Sequence, residues 1–223
     1  SVDDVAMWAA RGVRYVGLTH MGNNQFGGSS NPDADLGDAP EDPVLSDLGK
    51  ALVAALNEHG IMVDISHVGR RTMLEATKLS RAPVIASHSG AMGAYHNARN
   101  LDDEQLEAIR DSGGVAQMVA FRGYVAEVDA AIREGADALR KKYLAEGWTN
   151  ATPEQIDAYG AGIRGLRQTH PDVTLGQFVD HIDYAVRRIG IEHVGIASDF
   201  DGGGGVAGWD DAAETANVTR ELM

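Results

Sequence analysis

The 223-residue sequence contains no cysteine. Disulfide scaffolds, thiolate zinc sites and cysteine nucleophiles are therefore excluded. Basic side chains are scarce: 19 Lys and Arg stand against 33 Asp and Glu, a net charge of −14. That balance argues against non-specific nucleic-acid binding and against anionic membrane surfaces, and it does not oppose divalent cations. No apolar run approaches the ~20 residues that a helical membrane span needs. No Gly-x-Gly-x-x-Gly follows a strand, so a dinucleotide-binding fold loses support. The glycine run 202–205 lacks a P-loop lysine and reads as a turn.

What the chain does have is a recurring unit of short apolar strand followed by amphipathic helix. Strands are expected at 14–20, 61–67, 83–88, 114–121 and 194–200. Helices are expected at 2–11, 45–60, 70–80, 102–112 and 174–190, and over the last dozen residues. Leu45, Leu48, Leu52 and Leu56 recur at helical spacing and Gly60 supplies a stop. The polar stretch 22–44 is too long for a routine connection. Segment 125–170 carries charged helical patterns and no clear strand. Five strands each followed by helix imply parallel pairing with helices outside, as in a (β/α) barrel or a doubly wound sheet. Ser1 reads as a helix cap and the last residues lie inside a helical pattern without a stop, so the chain is expected to be incomplete at both ends.

Three of the strand patterns end alike: VGLTH at His20, VDISH at His67 and VIASH at His88, while IASDFD carries Asp199 and Asp201. In parallel α/β folds the carboxyl ends of strands form one rim, where active sites sit. Three imidazoles and a carboxylate from distant positions are therefore expected to meet. A single strand-end His is more often a hydrogen-bonded structural residue; the repetition argues for a metal or catalytic cluster. Imidazole and carboxylate suit Zn²⁺, which can bring the pKa of its water to about 7. Asp199 is the candidate for proton transfer, and Asp201 reads as a turn-former before Gly202. Arg99, in HNARN, is an ordinary surface arginine on this evidence alone. His59, His96, His170, His181 and His193 read as surface or structural.

Taken together, RYVGLTH, LSDLGKALVAALNEHGIMVDISHV, RAPVIASHS, ARNLDDEQL and GIASDFDG resemble the membrane (renal) dipeptidase family, the M19 zinc dipeptidases. The likeness covers nearly everything outside 125–170. It implies a (β/α)8 TIM barrel of the metal-dependent hydrolase type, with about five βα units in this chain. On that basis residues 1–223 form a single, partial barrel domain with a helical excursion at about 125–170. It implies two Zn²⁺ ions and hydrolysis of dipeptides by metal-bound hydroxide, including ones with a D-residue at the C-terminal side. His67 and His88 look like ligands of one zinc and His20 like the residue that steadies the tetrahedral oxygen. Arg99 looks like the holder of the substrate carboxylate and Asp199 like the general acid/base. Asn23 or Asn24 lines the same pocket. The family's His-x-Asp pair and bridging Glu lie upstream of residue 1, and without them a binuclear site is not expected. The resemblance allows a homodimer and leaves the compartment open. The rivals are another metal hydrolase of this scaffold, acting on a lactone, cyclic amide or phosphotriester, and a homologue that binds without catalysis.

Overall fold

The computed structural model describes residues 1–39 and 43–223. In chain order the elements are α1 (Val5–Ala10), β1 (Tyr15–Gly17), α2 (Asp47–Glu58), β2 (Met62–Asp64), α3 (Arg70–Leu79), β3 (Ile85–Ser89) and α4 (Asp103–Asp111). They continue with β4 (Val115–Val119), α5 (Arg122–Val125), α6 (Ala130–Tyr143), α7 (Pro153–Thr169), α8 (Leu175–Ile189), β5 (Val194–Ala197) and α9 (Thr215–Glu221). The strands lie in one sheet in the order β1-β2-β3-β4-β5, every pair parallel. Strand order equal to chain order, with a helix after each strand, is the winding of a (β/α) barrel and not of a doubly wound sheet. Among the described residues β1 and β5 each pair on one side only, and Tyr15 and Ile196 on these edges are exposed.

Local chemistry sets the boundaries. Ser46 caps α2 by accepting from the Gly49 N–H at 3.0 Å, and Gly60, at φ +67°, ends that segment as expected. Asp102 with Gln105, Thr152 with Gln155 and Thr174 with Gln177 form capping boxes on α4, α7 and α8. Leu52 and Leu56 enter the core with Val53, whereas Leu48 is exposed at the margin of the same face, in the first turn of α2. Segment 125–170 holds α6 and α7, which pack closely: a Cβ at Gly162 would lie 2.6 Å from the Leu139 side chain. One apolar cluster runs from Val5 through Val63, Met118 and Phe178 to Val218.

His181, on α8, is a structural histidine. Its Nδ1 accepts from the Ala91 N–H and its Nε2 donates to the Val125 carbonyl, each at 2.9 Å. Burial keeps its pKa below the ordinary histidine value. A histidine held neutral contributes stability fully above the unfolded pKa of about 6.5 and loses it as pH falls toward the folded pKa. The melting temperature is expected to fall on acidification below that value. His67 and His88 act in the same sense, so a His181→Gln variant, which keeps one acceptor and one donor, isolates the share of His181 by flattening the profile. An equal slope in both proteins would refute it.

Candidate active site

The strand ends expected from sequence are shorter in the structure. Of the three histidines only His88 lies in a strand; β1 stops at Gly17 and β2 at Asp64, each three residues before its histidine. The physical reason at β2 is visible. The Ser66 N–H turns to the Asp64 carboxylate (3.0 Å), and His67 adopts φ 66°, which no strand accommodates. The His67 carbonyl then accepts from the Ser30 N–H at 2.8 Å and the Thr19 hydroxyl at 3.1 Å. Asp199 is likewise beyond β5, at φ 53°. Its carbonyl accepts from the Gly202 and Gly204 N–H groups at 3.0 and 2.7 Å. Asp201 is exposed in that turn, in keeping with its reading as a turn-former.

Despite the shorter strands the three imidazoles form one row of tilted rings. The rings of His20 and His67 are 4.2 Å apart and those of His67 and His88 4.9 Å. The Nε2 atoms of His67, in the turn after β2, and His88, in the neighbouring parallel strand β3, approach to 2.9 Å. His67, the middle ring, is buried, His88 is half-buried and His20 is exposed. A cleft of about 440 Å³ beside β1 takes in all three, with Asp64 and Ser66 beneath and Trp8 and Phe26 as apolar walls. Asn24 also reaches this cleft, but its side chain is occupied with the loop. It donates to the Leu18 carbonyl at 2.8 Å and accepts from the Phe26 and Gly27 N–H groups. Asn23 accepts from the Ser29 N–H at 2.8 Å. Both hold the 22–31 turn in shape.

Arg99 is not the surface residue its neighbours in sequence suggest: it is 2% exposed. One guanidinium nitrogen donates to the His88 carbonyl at 3.0 Å, the plane lies 5.0 Å from the Tyr124 ring, and Nε has no partner among the described residues. No carboxylate forms an ion pair with it among the described residues. Burial lowers its pKa, although Tyr124 and the Asp199 and Asp64 carboxylates oppose the shift. Burial, Arg99 and the neighbouring imidazoles push His67 down to about 3. His88 is lowered by burial and by Arg99, while Asp199 and Asp64 pull it back. The imidazoles of His67 and His88 are therefore held neutral at pH 7, each with a ring nitrogen bearing a lone pair, which is the form that binds metal. Asp199 is half-buried and acts on His88 and Arg99 through its charge, without a hydrogen bond to either among the described residues.

Two polar residues here have no counterpart in the sequence reading. Asp64 is 5% exposed in an otherwise apolar strand. Its carboxylate accepts from the Ser87 hydroxyl at 2.6 Å, and that hydroxyl meets the His88 Nδ1 at 2.7 Å. The signal available in the sequence was an acidic residue inside the apolar run of IMVDISH, and a serine directly before His88.

The model of the membrane dipeptidase family, peptidase family M19, matches residues 1–223. The chain belongs to peptidase family M19. Dipeptidase aclJ of Aspergillus oryzae is 29% identical across the whole chain, and the match covers 42% of that protein. Among solved structures, the probable dipeptidase PvdM of Pseudomonas aeruginosa is 38% identical with a TM-score of 0.80, over 100% of this chain and 59% of that one. A metallo peptidase of Rhodobacter sphaeroides liganded with a phosphinate mimic of the dipeptide L-Ala-D-Ala is 24% identical with a TM-score of 0.68, over 99% of this chain and 52% of that one. That last likeness is one of fold. This M19 chain spans about two fifths of the length of the curated relatives it matches. The family is one of metallopeptidases, which implies a metal cofactor.

Proposed function

We propose that this chain carries part of the active site of a zinc-dependent dipeptidase, with His67 and His88 as ligands of one ion. The observation that carries the reading is the convergence of their Nε2 atoms to 2.9 Å from the turn after β2 and from β3, beside a buried arginine without a carboxylate partner among the described residues. The donor set fits a divalent metal in chemistry: two neutral imidazoles on the rim of a cleft. It is partial, since no group of three His, Asp or Glu side chains able to hold a metal occurs among the described residues. Further donors, and the second ion the family resemblance implies, depend on residues outside this sequence. On this reading residues 1–223 are one barrel unit with α6 and α7 as an insertion.

A metal held there supplies Lewis acidity to a carbonyl oxygen and acidifies water. The chain's own residues supply the rest. Arg99 binds the free carboxylate of a dipeptide, and its pairing is strongest with a planar anion. His20, exposed at one end of the row, hydrogen-bonds the carbonyl oxygen as charge develops on it. Asp199 takes a proton from the attacking water and returns it to the leaving amine nitrogen. The carboxylate requirement favours a dipeptide over a lactone or phosphotriester. Turnover of L-Ala-D-Ala by the metal-loaded protein, with no turnover of a lactone panel, is expected; the reverse preference would overturn the assignment.

Asp199 gives a sharper test. Its carboxylate lies over Gly202, where a Cβ would sit 2.4 Å from Oδ1. A Gly202→Ala change is therefore absorbed by moving that side chain and not by the core. Activity is expected to drop by roughly 10²-fold, the scale of a misplaced acid–base group, at nearly unchanged melting temperature. Full activity in Gly202→Ala would remove Asp199 from the proton role.

A further inference from the structure

The geometry points to a positioning relay behind His88. We propose that Asp64 and Ser87 fix the tautomer of His88 so that its Nε2 always presents a lone pair to the cleft. The inference rests on His88 being a metal ligand and adds the residues that prepare it.

The proton count of the relay leads to that tautomer. Asp64 Oδ1 accepts from the backbone N–H groups of Ser66 at 3.0 Å and Ser87 at 3.1 Å. Its Oδ2 accepts the Ser87 hydroxyl at 2.6 Å. An ionised carboxylate only accepts, and a serine hydroxyl has one hydrogen to give. With that hydrogen committed to Asp64, Ser87 Oγ faces the His88 Nδ1, at 2.7 Å, with lone pairs alone. The His88 ring must then carry its hydrogen on Nδ1 and donate it to Ser87. Nε2 is left bare and aimed at the Nε2 of His67, 2.9 Å away.

The backbone of His88 is held as well. Its N–H donates to the Ser66 hydroxyl at 2.9 Å, and Ser66 is 2% exposed. Ring and main chain are thus both anchored to the end of β2. His67 differs: its Nδ1 is buried and has no partner among the described residues. No hydrogen bond at Nδ1 fixes the tautomer of His67 among the described residues, and as the neighbour of a bare His88 Nε2 it supplies the hydrogen between the two rings until a cation displaces it. His88 is the prepared ligand and His67 the one that adapts.

Carboxylate relays of this kind raise ligand basicity and orient the ring, and their removal typically weakens metal binding by about 10–100-fold. The test is made on purified protein. In the metal-free wild type, long-range ¹H–¹⁵N spectra are expected to show His88 as the Nδ1–H tautomer. Ser87→Ala is expected to mix the tautomers and to weaken Zn²⁺ binding, measured by competition with a chromophoric chelator, by about 10–100-fold. Ser87→Thr, which restores the hydroxyl, is expected to recover both. An Nε2–H tautomer in the wild type, or unaltered Zn²⁺ affinity in a folded Ser87→Ala protein, would overturn the relay. If the wild type binds no Zn²⁺ yet shows Nδ1–H on His88, the metal reading fails while the tautomer assignment stands.

Discussion

An Arg99→Met variant is expected to lose roughly 10²–10³-fold in kcat/KM toward dipeptides, mainly through KM, on the scale of truncating one partner of a buried charge pair. It is also expected to melt no lower than the wild type. Arg99 is a buried guanidinium with an unpartnered Nε and no carboxylate of its own among the described residues. Desolvating a charge without pairing it costs stability, and the cost is recovered only when an anion arrives. Methionine fills similar volume without that cost, although it gives up the hydrogen bond to the His88 carbonyl and the contact with the Tyr124 ring. A dipeptide amide, which lacks the free carboxylate, separates binding from folding: wild type and variant are expected to handle it equally poorly. If Arg99→Met impaired the amide and the acid alike, Arg99 would be structural.

Removing the imidazole of His67 is expected to abolish metal binding at this site and to reduce activity by at least about 10³-fold, because a metal-assisted hydrolysis loses both its Lewis acid and its activated water. The choice of replacement carries a second signal. His67 sits at φ 66°, a region that costs an L-residue roughly 1–2 kcal/mol and costs glycine nothing. At ordinary helix and strand positions glycine is less stable than alanine by about 0.5–1 kcal/mol. Here the order is expected to invert, with His67→Gly melting above His67→Ala while both are inactive. The inversion would show that the turn after β2 is strained in order to aim this ring. Alanine melting above glycine would mean that the left-handed turn does not exist in solution.

The sequence carried most of the architecture because the scaffold obeys local rules. Strand-then-helix repetition and the Gly60 stop each state their element directly. The convergence of His20, His67 and His88 was legible from the repeated apolar run ending in His, yet for a partly mistaken reason. Only His88 lies in a strand, and the other two reach the cleft through turns. Backbone sign is not written in VDISH; it follows from Asp64 capturing the Ser66 N–H and from Thr19 and Ser30 holding the His67 carbonyl. Arg99 was invisible as a buried group for a similar reason. Its flanking residues His96, Asn97 and Asn100 look like surface, and its burial comes from Tyr124 and β3 closing over it. Asp64 and Ser87 were overlooked because an acid and a serine in strands pass for edge polarity until their partners across the sheet are known.

The proposed dipeptidase chemistry stands or falls with His67 and His88 gripping one divalent cation. Diffraction from Zn²⁺-soaked crystals at the zinc absorption edge tests it directly. An anomalous peak is expected at about 2.0–2.1 Å from the Nε2 atoms of both residues. A peak bound elsewhere, or one that leaves the two rings hydrogen-bonded to each other as before, would contradict it.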